Sequence, residues 1–228
     1  MTTILITGAT RGLGRETAKR LVERGHTVFI GARDSASGQR VADEVGARLL
    51  VIDVTDDAGV NAAAQDLATE VGELDVLVNN AGIAGEQAPP NEATIEDMQR
   101  VFDTNVFGVA RVMKAFTPLL EASAAPVVVN VSSAVGSLAR NAESDSPWSL
   151  LAYPMSKAAL NMLTIKYAKA YPRWRVNAAT PGLTATEFTP RQAGWSVSEG
   201  AEIIVRMATV GPDGPTGTFV EQAGPVPW

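Results

Sequence analysis

The chain has no cysteine and only one histidine, His26, among its 228 residues. Without thiols it forms no disulfides, no thiolate metal sites and no cysteine nucleophile. A single histidine leaves mainly carboxylates to complete a zinc site, so we expect no metal and no zinc-dependent alcohol oxidation. His26 falls between the first predicted helix and the second predicted strand, where we expect a loop residue with no catalytic role.

Long apolar runs and an excess of positive charge are absent too. No apolar stretch approaches the roughly 18 residues that span a bilayer. The first apolar run breaks at Gly8 and has no basic segment before it, which argues against a signal peptide. The formal net charge is −6, which disfavours a broad surface for nucleic acid. We therefore expect a cytoplasmic protein that binds neither membranes nor nucleic acid.

The chain does contain short β-rich runs that alternate with helix-length amphipathic segments from end to end. Several runs are continuously apolar, which is typical of strands buried on both faces. The alternation predicts a parallel sheet with right-handed crossovers. We predict a single α/β, doubly wound Rossmann-type domain over residues 1–228, with a seven-stranded parallel sheet flanked by helices. The predicted strands are residues 3–7, 27–32, 48–53, 75–80, 126–132, 175–180 and 217–220.

The segment TGATRGLG, residues 7–14, joins the first predicted strand to the first predicted helix, residues 11–24. Its three glycines remove Cβ atoms, so that a pyrophosphate can approach the backbone. The helix N-terminus that follows offers N–H groups and the positive end of its dipole. The G-x3-G-x-G spacing differs from the general G-x-G-x-x-G fingerprint. By itself, such a turn is also compatible with a tight strand-to-helix connection.

Tyr153 and Lys157 lie four residues apart in a predicted helix, residues 150–171, which places both side chains on one face. A free tyrosine has a pKa of about 10 and is a poor base at neutral pH. A nearby ammonium and the positive charge of an oxidised nicotinamide would stabilise the phenolate and lower that pKa. The pair alone also fits an ordinary helix surface. Ser133 lies just past a buried strand, where α/β sheets place their ligands.

Five segments, taken in chain order, resemble motifs of the short-chain dehydrogenase/reductase family. They are TGATRGLG (7–14), NNAG (79–82), NVSSAVGS (130–137), YPMSK (153–157) and PGLTAT (181–186). The GARD segment after the second strand and the closing GPVPW are most similar to the carbonyl reductase branch. The resemblance covers essentially the whole chain and implies a one-domain, nicotinamide-dependent oxidoreductase.

The resemblance also implies catalytic roles. Tyr153 would exchange a proton with the substrate oxygen, Ser133 would hydrogen-bond that oxygen, and Asn105 would hold a water that relays protons to Lys157. Ser132 is the adjacent alternative, although Ser133 fits the family register better. The interval between the serine and Tyr153 is longer than in the family pattern, so we expect extra residues within 140–148 to loop out.

Cofactor contacts are implied in the same way. Asp53 would accept from the adenine amino group, and Thr186 would bind the nicotinamide carboxamide. The full set of implied cofactor-binding residues is Gly8, Thr10, Arg11, Gly12, Leu13, Gly14, Arg33, Asp53, Val54, Asn79, Ala81, Gly82, Tyr153, Lys157, Pro181, Gly182, Thr184 and Thr186.

The end of the second predicted strand bears on the choice between NADP(H) and NAD(H). An NAD site places an acid there to accept from the ribose 2′-hydroxyl. In this chain Ala32 occupies that position and Arg33 follows it. Guanidinium groups suit phosphate, so Arg33 and Arg11 predict NADP(H), with NAD(H) less favoured. A register two residues later would make Asp34 the ribose acid and reverse the preference.

The segment after the Pro-Gly turn, residues 183–198, is predicted to be a short substrate lid. Its Phe188 and Trp195, with Leu138 and Trp148 from before Tyr153, predict a mainly apolar pocket with one polar end. Such a pocket suits a small or medium carbonyl or alcohol. Sugar-nucleotide epimerisation would need a second substrate domain, which the chain is too short to supply.

A non-catalytic NADP-binding regulator or scaffold is the alternative from another functional class, and the Ser-Tyr-Lys set argues against it. In the resembled family, the Tyr-bearing helix often packs against its copy. Ala158, Ala159, Met162 and Ile165 offer a small apolar face for that contact. We expect a homodimer or homotetramer. An extended loop before Tyr153 would instead cover the face and leave a monomer.

Overall fold

The structure is a computed structural model and describes residues 2–86, 88–143, 150–185 and 194–228. The strands are β1 Thr3–Thr7, β2 Thr27–Ala32, β3 Arg48–Val51, β4 Val76–Asn79, β5 Val127–Val131, β6 Arg175–Ala179, β7 Phe219–Glu221 and β8 Gly224–Pro225. The helices are α1 Gly12–Glu23, α2 Ser35–Val45, α3 Asp57–Val71, α4 Ile95–Phe102, α5 Gly108–Ala122, α6 Leu138–Glu143, α7 Ala152–Ala170 and α8 Val197–Ala208. A π-helical turn, Asp103–Phe107, joins α4 to α5, and a 3-10 turn, Ala134–Gly136, follows β5.

The strands form one sheet in the order β3-β2-β1-β4-β5-β6-β7-β8. All neighbouring pairs from β3 to β7 are parallel, and β8 is antiparallel to β7. The predicted doubly wound α/β fold is confirmed, and β1 and β2 have the predicted bounds. The predicted count of seven strands was one too low. The missed strand, β8, has only two residues, too few to produce an apolar run in the sequence.

Helices cover both faces of the sheet. Buried side chains of α3, α5 and α7 pack on one face, and those of α1, α2 and α8 pack on the other. The chain leaves β1 toward β2 on one side and later returns to β4 on the other side of β1. The strand order therefore reverses between β1 and β4, and α/β sheets bind ligands in the crevice at such a point.

The starts of several helices are fixed by local side-chain caps. Asp34 accepts from the Ser37 N–H (2.8 Å) at the start of α2, and Ser196 and Glu199 form a capping box at the start of α8. Within the described ranges, no helix is both long and apolar enough to cross a membrane.

Candidate active site

The glycine turn between β1 and α1 is tight enough to exclude side chains. Gly8 and Gly12 have φ angles of 63° and 52°, in the left-handed region that favours glycine. A Cβ on Gly8 would lie 2.8 Å from the Cα of Ala81, and one on Gly14 would lie 2.9 Å from the Cα of Ala9. Because α1 begins at Gly12, its first N–H groups adjoin this turn.

The end of β4 holds the glycine turn in place through Asn80. The Nδ2 of Asn80 donates to the carbonyl oxygens of Thr7 and Gly8, each at 2.9 Å. The Thr7 hydroxyl in turn accepts from the N–H groups of Asn80 and Ala81, each at 3.1 Å. Sequence reasoning missed Asn80. Side-chain alternation along β4 was the signal that could have found it, because Asn79 and Asn80 must point to opposite faces.

The side chain of Asn79 lies in the core. Its Nδ2 donates to the Oδ1 of Asn130 on β5 (2.8 Å), and the Nδ2 of Asn130 donates to the Thr164 hydroxyl on α7 (2.9 Å). The Asn79 side chain is 2% exposed. This placement does not support its predicted cofactor contact through the side chain. Ala81 and Gly82 follow at the edge of the crevice, both partly exposed.

Tyr153 and Lys157 stand together on the first turns of α7, as predicted. The Lys157 Nζ is 5.6 Å from the centroid of the Tyr153 ring and donates to the Val131 carbonyl at the end of β5 (2.8 Å). The Tyr153 hydroxyl is hydrogen-bonded to the Ser133 hydroxyl. The structure therefore brings three of the four predicted catalytic residues into one cluster.

Burial biases both ionisable groups of this cluster toward their neutral forms. It raises the pKa of Tyr153 to about 12, whereas the nearby ammonium was expected to lower it, and the hydrogen bond from Ser133 offsets only part of the increase. Burial lowers the pKa of Lys157 to about 8. At neutral pH the tyrosine therefore keeps its proton, as an acid must before it donates.

The two serines after β5 have different partners. The Ser132 hydroxyl donates to the Oδ1 of Asn161 (2.6 Å) and is buried under α7, whereas Ser133 is the serine that contacts Tyr153. The geometry thus favours Ser133 over Ser132, in agreement with the predicted register.

Asn105 lies within the π-helical turn and is fully buried. Its Nδ2 donates to the Ile83 carbonyl (2.9 Å) and the Ser156 hydroxyl (3.0 Å), and its Oδ1 accepts from the Ile83 N–H (2.9 Å). A Cβ on Gly82 would be 3.3 Å from this Oδ1 and 3.7 Å from the Lys157 Nζ. Asn105 therefore lies beside Lys157, and its amide joins the segment after β4 to α7.

The end of β2 has the predicted register. Ala32 is the last strand residue, paired with Val51 of β3, and Arg33 follows it on the exposed surface. The Asp34 carboxylate caps α2, which holds its pKa below the usual value. Asp34 is therefore engaged with its own helix.

The predicted adenine-side residues follow β3. The Oδ1 of Asp53 accepts from the N–H (2.9 Å) and hydroxyl (2.7 Å) of Thr55. Val54 is buried against Gly108 of α5. The Asp53 side chain is partly exposed at the same edge of the sheet as the glycine turn.

The two ends of the predicted lid are tied to each other. Gly182 has a φ of 71°, and the Thr184 hydroxyl donates to the Pro181 carbonyl (3.0 Å). Backbone bonds then join Trp195 to Leu183 (3.1 Å) and Ala185 to Trp195 (2.8 Å). The predicted site residues Thr186, Phe188 and Trp148 lie outside the described residues.

The segment before Tyr153 begins with a short helix, where we expected the extra residues only to loop out. In α6, the two Nη atoms of Arg140 donate to the Glu221 carboxylate (3.0 and 2.7 Å). The Ser137 hydroxyl donates to the Pro227 carbonyl (2.6 Å). This part of the chain is therefore packed against β7 and the C-terminal residues.

Comparison with known proteins identifies the class that this fold and site define. The model of the short chain dehydrogenase family matches residues 2–196. The chain is 35% identical to the short-chain dehydrogenase anuI of Penicillium roqueforti, covering 91% of this chain and 88% of the relative. It is 31% identical to (-)-isopiperitenone reductase of Mentha piperita, covering 94% of each.

Solved structures agree. The NADPH-bound carbonyl reductase from chicken fatty liver has a TM-score of 0.89 at 26% identity, covering 100% of this chain and 99% of that one. Salutaridine reductase from Papaver somniferum has a TM-score of 0.86 at 27% identity, covering 96% and 99%. The chain belongs to the short-chain dehydrogenase/reductase family. As a member it is a hydride-transfer oxidoreductase that uses a nicotinamide cofactor and acts on a small molecule.

Proposed function

We propose that the protein is an NADP(H)-dependent carbonyl reductase in which Tyr153 is the general acid/base. The observation that carries this proposal is the cluster at the end of β5. There the Tyr153 hydroxyl is bound to Ser133, with the Lys157 ammonium 5.6 Å from its ring. A regulator or scaffold that only bound the cofactor would have no need of this arrangement.

The residues around the glycine turn fit a phosphorylated dinucleotide. Gly8 and Gly14 pack directly against the backbones of Ala81 and Ala9, and this packing holds the turn beside the first N–H groups of α1. The turn and the start of α1 would hold the pyrophosphate, and Asp53, Ala81 and Gly82 lie where the adenosine would bind. When bound, the cofactor supplies the hydride.

The chemistry left to the protein is proton transfer. In the reduction direction, the Tyr153 O–H donates its proton to the substrate oxygen as the carbonyl carbon is reduced to an alcohol. The Ser133 hydroxyl donates a hydrogen bond to the same oxygen and so holds it near Tyr153. Burial lowers the pKa of Lys157 to about 8. Because this pKa is close to neutral pH, Lys157 would return a proton to the tyrosinate after the transfer.

The preference for NADP(H) rests on the end of β2. An acid at position 32 would repel a 2′-phosphate, whereas Ala32 leaves room for one. Arg33 and Arg11 are both exposed at this edge of the sheet. A charge-assisted hydrogen bond contributes roughly 1.5–3 kcal/mol, which is on the order of ten- to a hundredfold in affinity. Asp34, which would favour NAD(H) if the register lay two residues later, caps α2.

The substrate we propose is a small or medium, mainly apolar carbonyl compound or alcohol. Four exposed apolar side chains belong to the segments that surround Tyr153: Leu138, Met155, Leu183 and Trp195. Residues 183–198 would act as the lid over this surface.

We also propose a homodimer or homotetramer built on the outer face of α7. On this face Met162 is 54% exposed, and Ala158, Ala159 and Ile165 are partly exposed beside it. Light scattering at micromolar concentration is expected to give a multiple of the 23.9 kDa chain mass. A monomer mass would contradict this proposal.

The proposed activity is tested by following NADPH and NADH consumption with a panel of aldehydes and ketones that differ in size and polarity. We expect turnover with NADPH and apolar carbonyl compounds, and much weaker turnover with NADH. Binding of NADPH without turnover of any carbonyl or alcohol would instead support the regulator or scaffold. A wild-type enzyme that prefers NADH would refute the cofactor assignment.

A further inference from the structure

Asn161 lies one helical turn beyond Lys157 on α7 and binds both ends of the turn that carries Ser133. Its Oδ1 accepts from the Ser132 hydroxyl (2.6 Å), and its Nδ2 donates to the Gly136 carbonyl (3.1 Å). The Asn161 side chain is 4% exposed, so water competes little for the groups that form these two bonds. One amide thus connects the residue before Ser133 and the end of the 3-10 turn to the helix that carries Tyr153.

The turn is also pressed closely onto the same helix. A Cβ on Gly136 would lie 2.7 Å from the Cβ of Lys157 and 2.8 Å from its carbonyl carbon, so the backbones are in direct contact. The Lys157 Nζ binds the Val131 carbonyl at the other end of the turn (2.8 Å). Residues 131–136 are therefore fixed to α7 at both ends, and Ser133 lies between these attachments.

We propose that Asn161 is a positioning residue that keeps the Ser133 hydroxyl within hydrogen-bonding distance of Tyr153. The inference rests on the proposed function and assigns a residue that the family motifs in this chain do not include. Its physical basis is that a displacement of about 1 Å in a positioning group lowers a rate by about a hundredfold.

The fold is expected to survive loss of the Asn161 amide, because other bonds keep the turn attached to the sheet. The Ser132 N–H donates to the Ala179 carbonyl (2.8 Å), and the Ala134 N–H donates to the Thr180 hydroxyl (3.1 Å). These bonds reach β6 and the residue after it rather than α7. Removing Asn161 should therefore loosen the turn relative to Tyr153 without detaching it from the core.

The first experiment compares Asn161→Ala with Thr164→Val. Thr164 is equally buried on α7 but accepts from Asn130, away from the serine turn. We expect Asn161→Ala to lower kcat by about 10- to 100-fold, with the Kd for NADPH, measured by fluorescence titration, essentially unchanged. Thr164→Val should leave both values near wild type. Equal losses of kcat in the two variants would show a general packing effect and overturn the inference.

Ser132→Ala provides a milder variant that removes only one of the two Asn161 bonds. It should lower kcat in the same direction as Asn161→Ala, but less. It also keeps the proposal testable if Asn161→Ala does not fold. Wild-type kcat in Ser132→Ala, together with failure of Asn161→Ala to fold, would make Asn161 a structural residue and overturn the inference.

A double-variant cycle with Ser133→Ala tests whether Asn161 acts through that serine. If it does, adding Asn161→Ala to Ser133→Ala should change kcat by no more than about twofold, because the group being positioned is already absent. If the loss of kcat in the double variant equals the product of the two single-variant losses, the inference is overturned. If Ser133→Ala alone leaves kcat unchanged, the proposed role of Ser133 fails and the inference fails with it. If Ser133→Ala lowers kcat but Asn161→Ala does not, only the inference fails.

Discussion

The two faces of the sheet differ at the carboxyl ends of its middle strands. On the face covered by α3, α5 and α7, the strand side chains change from apolar to polar toward that end. The changes are Leu5 to Thr7 in β1, Leu77 to Asn79 in β4 and Val128 to Asn130 in β5. On the face covered by α1, α2 and α8, the strands stay apolar to the end. These residues are Ile4 and Ile6, Val76 and Val78, and Val127, Val129 and Val131.

This difference between the two faces separates the chemical step from cofactor binding. On the α7 face, Asn79 donates to Asn130, and Asn130 donates to Thr164 of α7, the helix that carries Tyr153 and Lys157. The opposite face contributes backbone N–H groups at the glycine turn and the start of α1, with exposed arginines nearby. Changes to Tyr153, Lys157 and the residues that position them should therefore alter the chemical step, and changes to the glycine turn and the nearby arginines should alter cofactor binding.

The largest effect is expected for Tyr153→Phe. If this hydroxyl is the proton donor, kcat should fall by about 10²–10⁴-fold or more. The Kd for NADPH should stay near the wild-type value, because the phenyl ring keeps the packing beside Lys157. Steady-state kinetics and fluorescence titration measure the two quantities.

Tyr167→Phe is the matched control for this variant. Tyr167 lies farther along α7 and stacks on Tyr171 (ring centroids 5.9 Å apart) rather than on the site. It should keep wild-type turnover. Near-normal turnover in Tyr153→Phe would contradict the role of Tyr153 as the general acid/base. It would also contradict the proposal that the α7 face serves the chemical step and the α1 face serves cofactor binding.

Arg33→Ala should have the next largest effect, on the cofactor side. Loss of one charge-assisted contact to the 2′-phosphate should raise the KM for NADPH about 10- to 100-fold. The kcat and the KM for NADH should change little. Arg15→Ala is the control, since Arg15 is also exposed near the start of α1 but pairs with Glu44 (2.8 Å). If Arg33→Ala mainly lowered kcat, the two faces would not be separate in function.

The sequence predicted the regular strands and helices better than the direction and partners of individual side chains. The β-rich runs predicted every strand of the parallel sheet, with the observed bounds for β1 and β2. Side-chain direction was harder to predict. The adjacent pairs Asn79–Asn80 and Ser132–Ser133 each repeat one residue type, and only the structure shows which partner each member binds.

Contacts between distant segments were also hidden from the sequence. Asn105 lies in a π-helical turn, a rare element that was not predicted from the sequence. The links from α6 to β7 and from α7 to the serine turn join residues far apart in the chain. Local periodicity carries no information about such pairs.

The third prediction concerns the free-energy cost of a charge on the α7 face. Burial lowers the pKa of Lys157 from 10.5 to about 8, so the folded state disfavours the ammonium. This penalty is fully present below about pH 8 and disappears as the pH rises toward 10.5. The shift corresponds to about 3 kcal/mol, and loss of the bond to Val131 offsets about 1 kcal/mol of it.

Without cofactor at pH 7, Lys157→Met should therefore raise the Tm by roughly 4–8 °C, given about 2–4 °C per kcal/mol for a protein of this size, while turnover is lost. The gain should shrink as the pH approaches 10. Lys166→Met, at an exposed position on the same helix, should leave the Tm nearly unchanged. A lower Tm for Lys157→Met at pH 7 would contradict a stability cost at this site.

The smallest effect is expected for Arg140→Met, in α6, which removes the ion pair between α6 and β7. The Arg140–Glu221 pair is well oriented but partly exposed (36% and 28% of the side chains), so its loss should lower the free energy of unfolding by about 1 kcal/mol or less. Arg140 holds the pKa of Glu221 below its ordinary value of 4.5. The pair therefore stabilises the fold above about pH 4.5, and this contribution disappears as the pH falls through the lowered pKa of Glu221.

Urea unfolding of the wild type and of Arg140→Met should give different free energies of unfolding at pH 7 and similar values in acid. Because neither residue contacts the cluster around Tyr153, kcat should stay unchanged, and a large loss of kcat would show that α6 shapes the active site directly.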